Sequence, residues 1–190
     1  METFKAHLDK FISVSEEECD LIFSYFQIVD VKKKENLMQE GEICKSMYFV
    51  SKGCLRKFFI NEKGIEQTTE FAIENWWITD TFAYERQVKS NFNIQAVEKS
   101  TILAIDLQTQ EELLKKHPVM ERYFRMIYQR SYAAAERRIR YLYEMTREEL
   151  YVHFSTQYPW FIQRIPQYLI ASFLGFTPEY LSEIRAKLRS

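Results

Sequence analysis

Residues 164–188 read R-I-P-Q-Y-L-I-A-S-F-L-G-F-T-P-E-Y-L-S-E-I-R-A-K-L, and the rest of the chain is best read outward from them. The stretch predicts two short helices joined by a tight turn. Pro166 suits the first position of a helix, where its missing N–H costs nothing. Leu169, Ile170, Phe173 and Leu174 then recur at helical spacing and give that helix an apolar face. Gly175 stops it, because the residue just past a helix C-terminus often needs φ > 0, which Gly takes without a Cβ clash. Thr177 is a ready N-cap with Pro178 after it, and Leu181, Ile184 and Leu188 carry the inward face of the second helix. Ala171 is small where two steeply crossing helices must touch. This is the spacing of a helix-turn-helix, whose second helix lies in the major groove with its outward side chains on bases and phosphates. The outward set here is Glu179, Tyr180, Ser182, Glu183, Arg185 and Lys187. An ordinary αα-corner in a helical subdomain is the alternative for the same pattern.

Charge is consistent with the first reading. Residues 1–117 carry 15 Lys/Arg against 20 Asp/Glu, residues 118–145 carry 6 against 3, and residues 146–190 carry 5 against 4. A net −1 therefore hides a small positive excess in the C-terminal third, where nucleic acid would be met. With 190 residues, 46% of them hydrophobic and 16% aromatic, the chain can bury a core and is not of the disordered class. No apolar run approaches the ~20 residues of a membrane span, and the N-terminus, M-E-T-F-K-A-H-L-D-K, lacks a signal-peptide core. Cys19, Cys44 and Cys54 are odd in number and form no C-x-x-C pair, which fits reduced thiols in a cytoplasm.

Upstream, Phe4, Leu8, Phe11 and Ile12 predict an amphipathic helix, and the capping box Ser15-Glu16-Glu17-Glu18 starts a second. From Ile28 to about Ile105 the period changes to short strands punctuated by Gly41, Gly53 and Gly64, with a hairpin turn at Asn61-Glu62-Lys63-Gly64. Such spacing predicts a sandwich or barrel, of roughly eight strands if a jelly roll. Residues 75–91 break the rhythm with Trp76-Trp77 and a short helix near Phe82. A ligand site fits there, and so does a loop that merely covers the barrel end. Asp106 caps a helix to Lys116, and a long helix runs from about Val119 to Met145. Met120, Phe124, Ile127, Ser131 and Ala134 form a narrow stripe on it, resumed by Ile139 and Leu142 after a one-residue offset. A two-stranded coiled coil buries such a stripe; a single helix lying along the barrel is the alternative. Thr146-Arg147-Glu148-Glu149 is a further capping box, and Tyr158-Pro159-Trp160 ends the helix it opens.

A β-roll, a long connecting helix and a terminal helix-turn-helix together resemble the Crp/Fnr family of bacterial transcription regulators. The most specific parts are residues 164–188 and Phe92-Asn93-Ile94-Gln95-Ala96. The resemblance implies an α+β fold: a cyclic-nucleotide-binding-like, jelly-roll-type β-roll over residues 1–117, a dimerisation helix over 118–145 and a DNA-binding domain over 146–190. It also implies a cytoplasmic homodimer on double-stranded DNA, reaching major grooves about 34 Å apart on a near-palindromic site, with RNA polymerase as a further partner. DNA contacts would come from Arg164, Gln167, Thr177, Glu179, Tyr180, Ser182, Glu183, Arg185, Lys187 and Arg189, and the dimer seam from Met120, Phe124, Ile127, Ser131 and Ala134.

The chain departs from that family in two places. Members that bind cyclic nucleotide carry a Gly-Glu pair and then an Arg that holds two phosphate oxygens at once. Here Thr79 replaces the Gly, Asp80 keeps an acid, and Ser90 stands near the Arg position, so cyclic AMP is not expected to bind. The effector region is Trp77, Thr79, Asp80, Tyr84, Lys89, Ser90, Asn91 and Phe92; either it takes another ligand or its rings fill it. In the reading helix Glu183 stands where Arg is usual and Pro178 occupies another contact position. Glu179 matches the family and suits a cytosine amino group. A regulator of the same architecture acting without specific DNA binding is therefore the competing expectation. His7, His117 and His153 are isolated and the three Cys form no ligand set, so neither a metal nor enzyme chemistry is expected.

Overall fold

The computed structural model describes residues 2–188, so Arg189 lies outside the described residues. The chain divides into two compact units: one is Met1–Phe59 with Glu70–Arg130, the other Ile60–Thr69 with Ser131–Ser190.

The first unit opens with α1 (Glu2–Leu8) and α2 (Glu16–Phe23), the latter capped by Ser15, whose Oγ accepts from Glu18 N at 3.1 Å. Eight strands follow: β1 (Gln27–Val31), β2 (Asn36–Met38), β3 (Ser46–Lys52), β4 (Leu55–Ile60), β5 (Glu66–Ala72), β6 (Trp77–Ile78), β7 (Asn93–Ala96) and β8 (Ser100–Asp106). They form two four-stranded sheets in the orders β1-β8-β3-β6 and β2-β7-β4-β5, a roll of the kind the strand spacing predicts. β3 is buried on both faces, which is why Met47-Tyr48-Phe49-Val50 reads as an unbroken apolar run. The β3–β4 turn requires glycine: Gly53 has φ of +105°, and a Cβ there would lie 2.2 Å from Ser100 Oγ.

A short helix, α3 (Thr81–Arg86), interrupts the strands, and α4 (Leu107–Lys116) follows them under an Asp106 cap, whose Oδ1 accepts from Thr109 N at 2.8 Å. The long helix is α5 (Val119–Glu144). Its first turns bury Met120, Tyr123 and Phe124, with Met126 and Ile127 packed behind them. Met120 and Phe124, expected on a dimer seam, therefore belong to this unit's own core, at 0% and 4% exposure. They follow a true stripe, whose first turns face inward. α1 is shorter than its apolar pattern suggests; Phe11 and Ile12 lie beyond the helix yet are still buried.

The second unit contains the tip of the β4–β5 hairpin, where Asn61 Oδ1 accepts from Lys63 N and Ile65 N, each at 3.0 Å. Its helices are the rest of α5, then α6 (Arg147–Gln157), α7 (Pro159–Arg164), α8 (Gln167–Leu174) and α9 (Pro178–Lys187). Thr146 and Glu149 complete the capping box of α6. Pro159 opens α7 instead of ending the chain segment. Pro166 is the N-cap of α8 and not its first residue, because its ψ of 136° is extended.

Candidate functional sites

In the roll, four expected effector residues come together around buried polar atoms. Asp80 caps α3, one carboxylate oxygen accepting from Ala83 N at 3.3 Å and the other from Ser90 Oγ at 2.7 Å. Ser90 Oγ in turn accepts from Phe92 N at 3.0 Å. Thr79 Oγ1 donates to the Ser46 carbonyl at 3.1 Å and lies 3.4 Å from Cys44 Sγ, whose thiol burial pushes up. Lys57, which sequence reasoning missed, donates to the Thr79 carbonyl at 2.9 Å, pairs with Glu70 at 2.7 Å and sits 5.5 Å from the centre of the Phe92 ring. Strand alternation places Lys57 on the same face as Leu55 and Phe59, and that was the signal available for it.

The other four residues are elsewhere. Lys89 and Asn91 are exposed. Tyr84 is buried, its hydroxyl donating to Gln110 Oε1 at 3.1 Å, and burial drives its pKa upward. Trp77 joins an aromatic cluster with Phe4, Phe26, Phe49, Tyr123 and Phe124, at ring separations of 5.3–6.5 Å. Its indole N–H donates to the Tyr123 hydroxyl at 2.8 Å. An indole only donates, so the tyrosine proton is left for His7 Nδ1 at 2.9 Å. Burial first, then nearby Lys10 and Arg130, lower the His7 pKa to about 4, so His7 is neutral there. His117 instead meets Glu18 at 3.2 Å, and His153 meets Tyr141 edge to face with centroids 4.6 Å apart.

A cyclic phosphate needs free donors. In this cluster both Asp80 oxygens accept from the chain itself, and the nearby Lys57 is ion-paired with Glu70. Two surface cavities of 310 and 350 Å³ lie on the same unit, lined by residues such as Tyr25, Ser46 and Thr109, or Asp9, Phe11 and Arg122.

In the second unit, α8 buries Leu169, Ile170, Ala171 and Leu174, and α9 buries Leu181 and Ile184. Gly175, at φ of +77°, makes the turn between them, as its position predicts. Thr177 caps α9, its Oγ1 accepting from Tyr180 N at 3.2 Å. Glu179, Ser182, Glu183 and Lys187 are exposed, as are Gln167 and Thr177; Tyr180, Arg185 and Arg164 are half-buried. Tyr180 packs on Phe176 and has the Arg147 guanidinium 5.5 Å from its ring centre. Lys187 meets Glu148 at 3.1 Å.

On α5, Ile127 is half-buried, while Ser131 and Ala134 are exposed. Tyr132, Ala135, Ile139 and Leu142 are exposed too and fall in steps of three and four, with Tyr128 the next step back. Among the described residues no helix is long and apolar enough to cross a membrane, and no three His, Cys, Asp or Glu side chains are grouped to hold a metal ion.

Residues 28–117 match the cyclic nucleotide-binding domain family. No curated protein sequence matches the chain significantly. Among solved structures, FixK2 from Bradyrhizobium japonicum superposes with a TM-score of 0.72 at 16% identity, over 86% of this chain and 84% of that one. A CooA mutant from Carboxydothermus hydrogenoformans gives 0.71 at 16% identity, over 94% and 86%. The catabolite activator protein of Thermus thermophilus gives 0.59 at 19%, over 93% and 84%. At such identities the likeness is one of fold. The roll of this chain is thus similar to a cyclic nucleotide-binding domain, and over 86–94% of its length the chain shares the fold of these proteins.

Proposed function

We propose that this protein is a Crp/Fnr-type transcriptional regulator, a homodimer that reads a near-palindromic duplex with α8 and α9 as its helix-turn-helix. Residues 1–117 are the sensor-like part, 118–145 the pairing helix and 146–190 the reading domain. The observation that carries the reading is α9 itself: an N-capped helix of 10 residues whose inner face is buried and whose outer face is uncovered. Glu179 would accept from a cytosine amino group, and Arg185, Lys187, Arg189 and Arg164 would meet phosphates. The partner helix would pack on Tyr132, Ala135, Ile139 and Leu142, a seam of alternating steps of three and four. Ile139→Asp is then expected to give monomers by light scattering. Cyclic AMP is not the effector in this reading.

Selection of duplexes from a randomised library, followed by anisotropy titrations across salt concentrations, tests the proposal. A selected near-palindrome bound in a salt-dependent manner is expected; no enrichment of any sequence defeats it. The second reading, a regulator of this architecture without specific DNA binding, draws on Glu183 at the middle of the outer face and on Glu148 beside Lys187.

A further inference from the structure

β5 ends its sheet, and an edge strand leaves backbone groups without a neighbouring strand. Glu66 and Thr68 are two residues apart, so their outward C=O and N–H point to the same side. Thr68 is only 2% exposed, and a buried N–H must find a partner. One side chain of α8 serves both groups: Ser172 Oγ accepts from Thr68 N at 2.9 Å and donates to the Glu66 carbonyl at 2.8 Å. A hydroxyl thus stands where another strand would. The neighbouring residues are tied as well. The Arg138 guanidinium donates to the Thr69 carbonyl, and to the Phe173 carbonyl at 2.6 Å, and lies 3.9 Å over the Phe173 ring. Phe173 O is among the last four carbonyls of α8, which no helix can satisfy internally.

The hairpin tip therefore grips α8 at Ser172 and Phe173, while Leu169, Ile170, Ala171 and Leu174 are buried. Glu179, Ser182, Glu183 and Lys187 remain exposed, so the grip does not cover the outer face of α9. We propose that Ser172, Thr68 and Arg138 are positioning residues for DNA reading, holding the α8–α9 pair in its competent orientation through the hairpin tip. This rests on the DNA-reading proposal above. A loosened pair is competent for only part of the time, and apparent affinity falls by that fraction.

The test uses the full chain, a duplex selected by the wild type from a randomised library, and a scrambled duplex. Ser172→Ala should weaken binding of the selected duplex about tenfold through the lost competent fraction. Binding of the scrambled duplex and the salt slope should stay as they were, because no phosphate contact is removed. Amide exchange at Thr68 should quicken, and Ser172→Thr, which keeps the hydroxyl, should restore both readouts. Arg138→Gln should follow Ser172→Ala on the selected duplex. Wild-type affinity in Ser172→Ala, or equal losses on the two duplexes, overturns the positioning role alone. A wild type that enriches no duplex removes the DNA-reading proposal and this one with it.

Discussion

In the roll, Asp80 gives both carboxylate oxygens to its own chain, to Ala83 N and Ser90 Oγ, and Lys57 is held by Glu70 and the Thr79 carbonyl. On α9, Glu179 and Glu183 stand in solvent, while the cap, the inner apolar face, Tyr180 and Lys187 are committed. The same side-chain type is a structural part in one unit and an unassigned acceptor in the other. Burial makes the difference. An unmatched carboxylate inside costs more than one hydrogen bond returns, so the interior leaves none, whereas at the surface water substitutes until a ligand arrives. A binding face is thus sought where polar groups are uncommitted, and in this molecule that favours α9 over the roll.

The contrast breaks most easily through stability. Phe4→Ala removes a ring that is 1% exposed and touches Phe26, Phe49, Trp77 and Tyr123, and is expected to cost about 3–5 kcal/mol by urea denaturation. Glu183→Ala on α9 should change stability by less than about 0.5 kcal/mol. Comparable losses from the two would erase the distinction between a filled interior and an open face.

The next effect is set by pH. His7 titrates at about 4 when folded, against 6.5 ordinarily. Between those values the unfolded chain binds a proton that the folded one refuses. His7 therefore takes nothing from stability above pH 6.5, and destabilises progressively as pH falls toward 4, by about 3 kcal/mol in total. His7→Gln should flatten that part of the stability profile. A profile identical in the variant would mean that His7 is not held neutral against Tyr123.

The roll was legible from the sequence because its turns are marked: Gly41, Gly53 and Gly64 all take positive φ, and Gly175 does the same between α8 and α9. The α7 helix was not, since Pro159 has the same appearance whether it ends one helix or begins the next. The stripe on α5 was read correctly as a period, but its members Met120 and Phe124 lie in the chain's own core. Met120, Phe124 and Ile127 face inward on the early turns, while Tyr132, Ala135, Ile139 and Leu142 face outward on the later ones, and periodicity alone does not say which stripe meets the chain's own core. Lys57 and Glu70 were missed because a charged residue in a strand is ordinarily assigned to the solvent face.

On α9 the exposed acceptors separate from the cations. Glu179→Ala should lower discrimination at one base pair by about 1–3 kcal/mol, leaving other positions alone. Arg185→Ala should weaken all sequences alike and reduce the salt slope by about one. Parallel losses on every sequence from both substitutions would leave α9 as a charged surface without a reading role.

The smallest expected effect is none, and it belongs to the roll. A ligand present at 100 times its Kd stabilises a folded protein by about 2.7 kcal/mol, a clear rise in melting temperature. Cyclic AMP is expected to produce no such rise, even at millimolar concentration. To enter, its phosphate would have to displace Glu70 from Lys57 and lie beside the buried Asp80, a like charge, without an arginine to hold two of its oxygens. Ser90→Arg alone should not rescue binding, because the Asp80 oxygen that Ser90 now satisfies would turn to the new guanidinium in its stead. A cyclic-AMP-dependent rise in the wild type would show that the Asp80–Ser90 pair opens, and would place the roll with α9 among the surfaces left ready for a ligand.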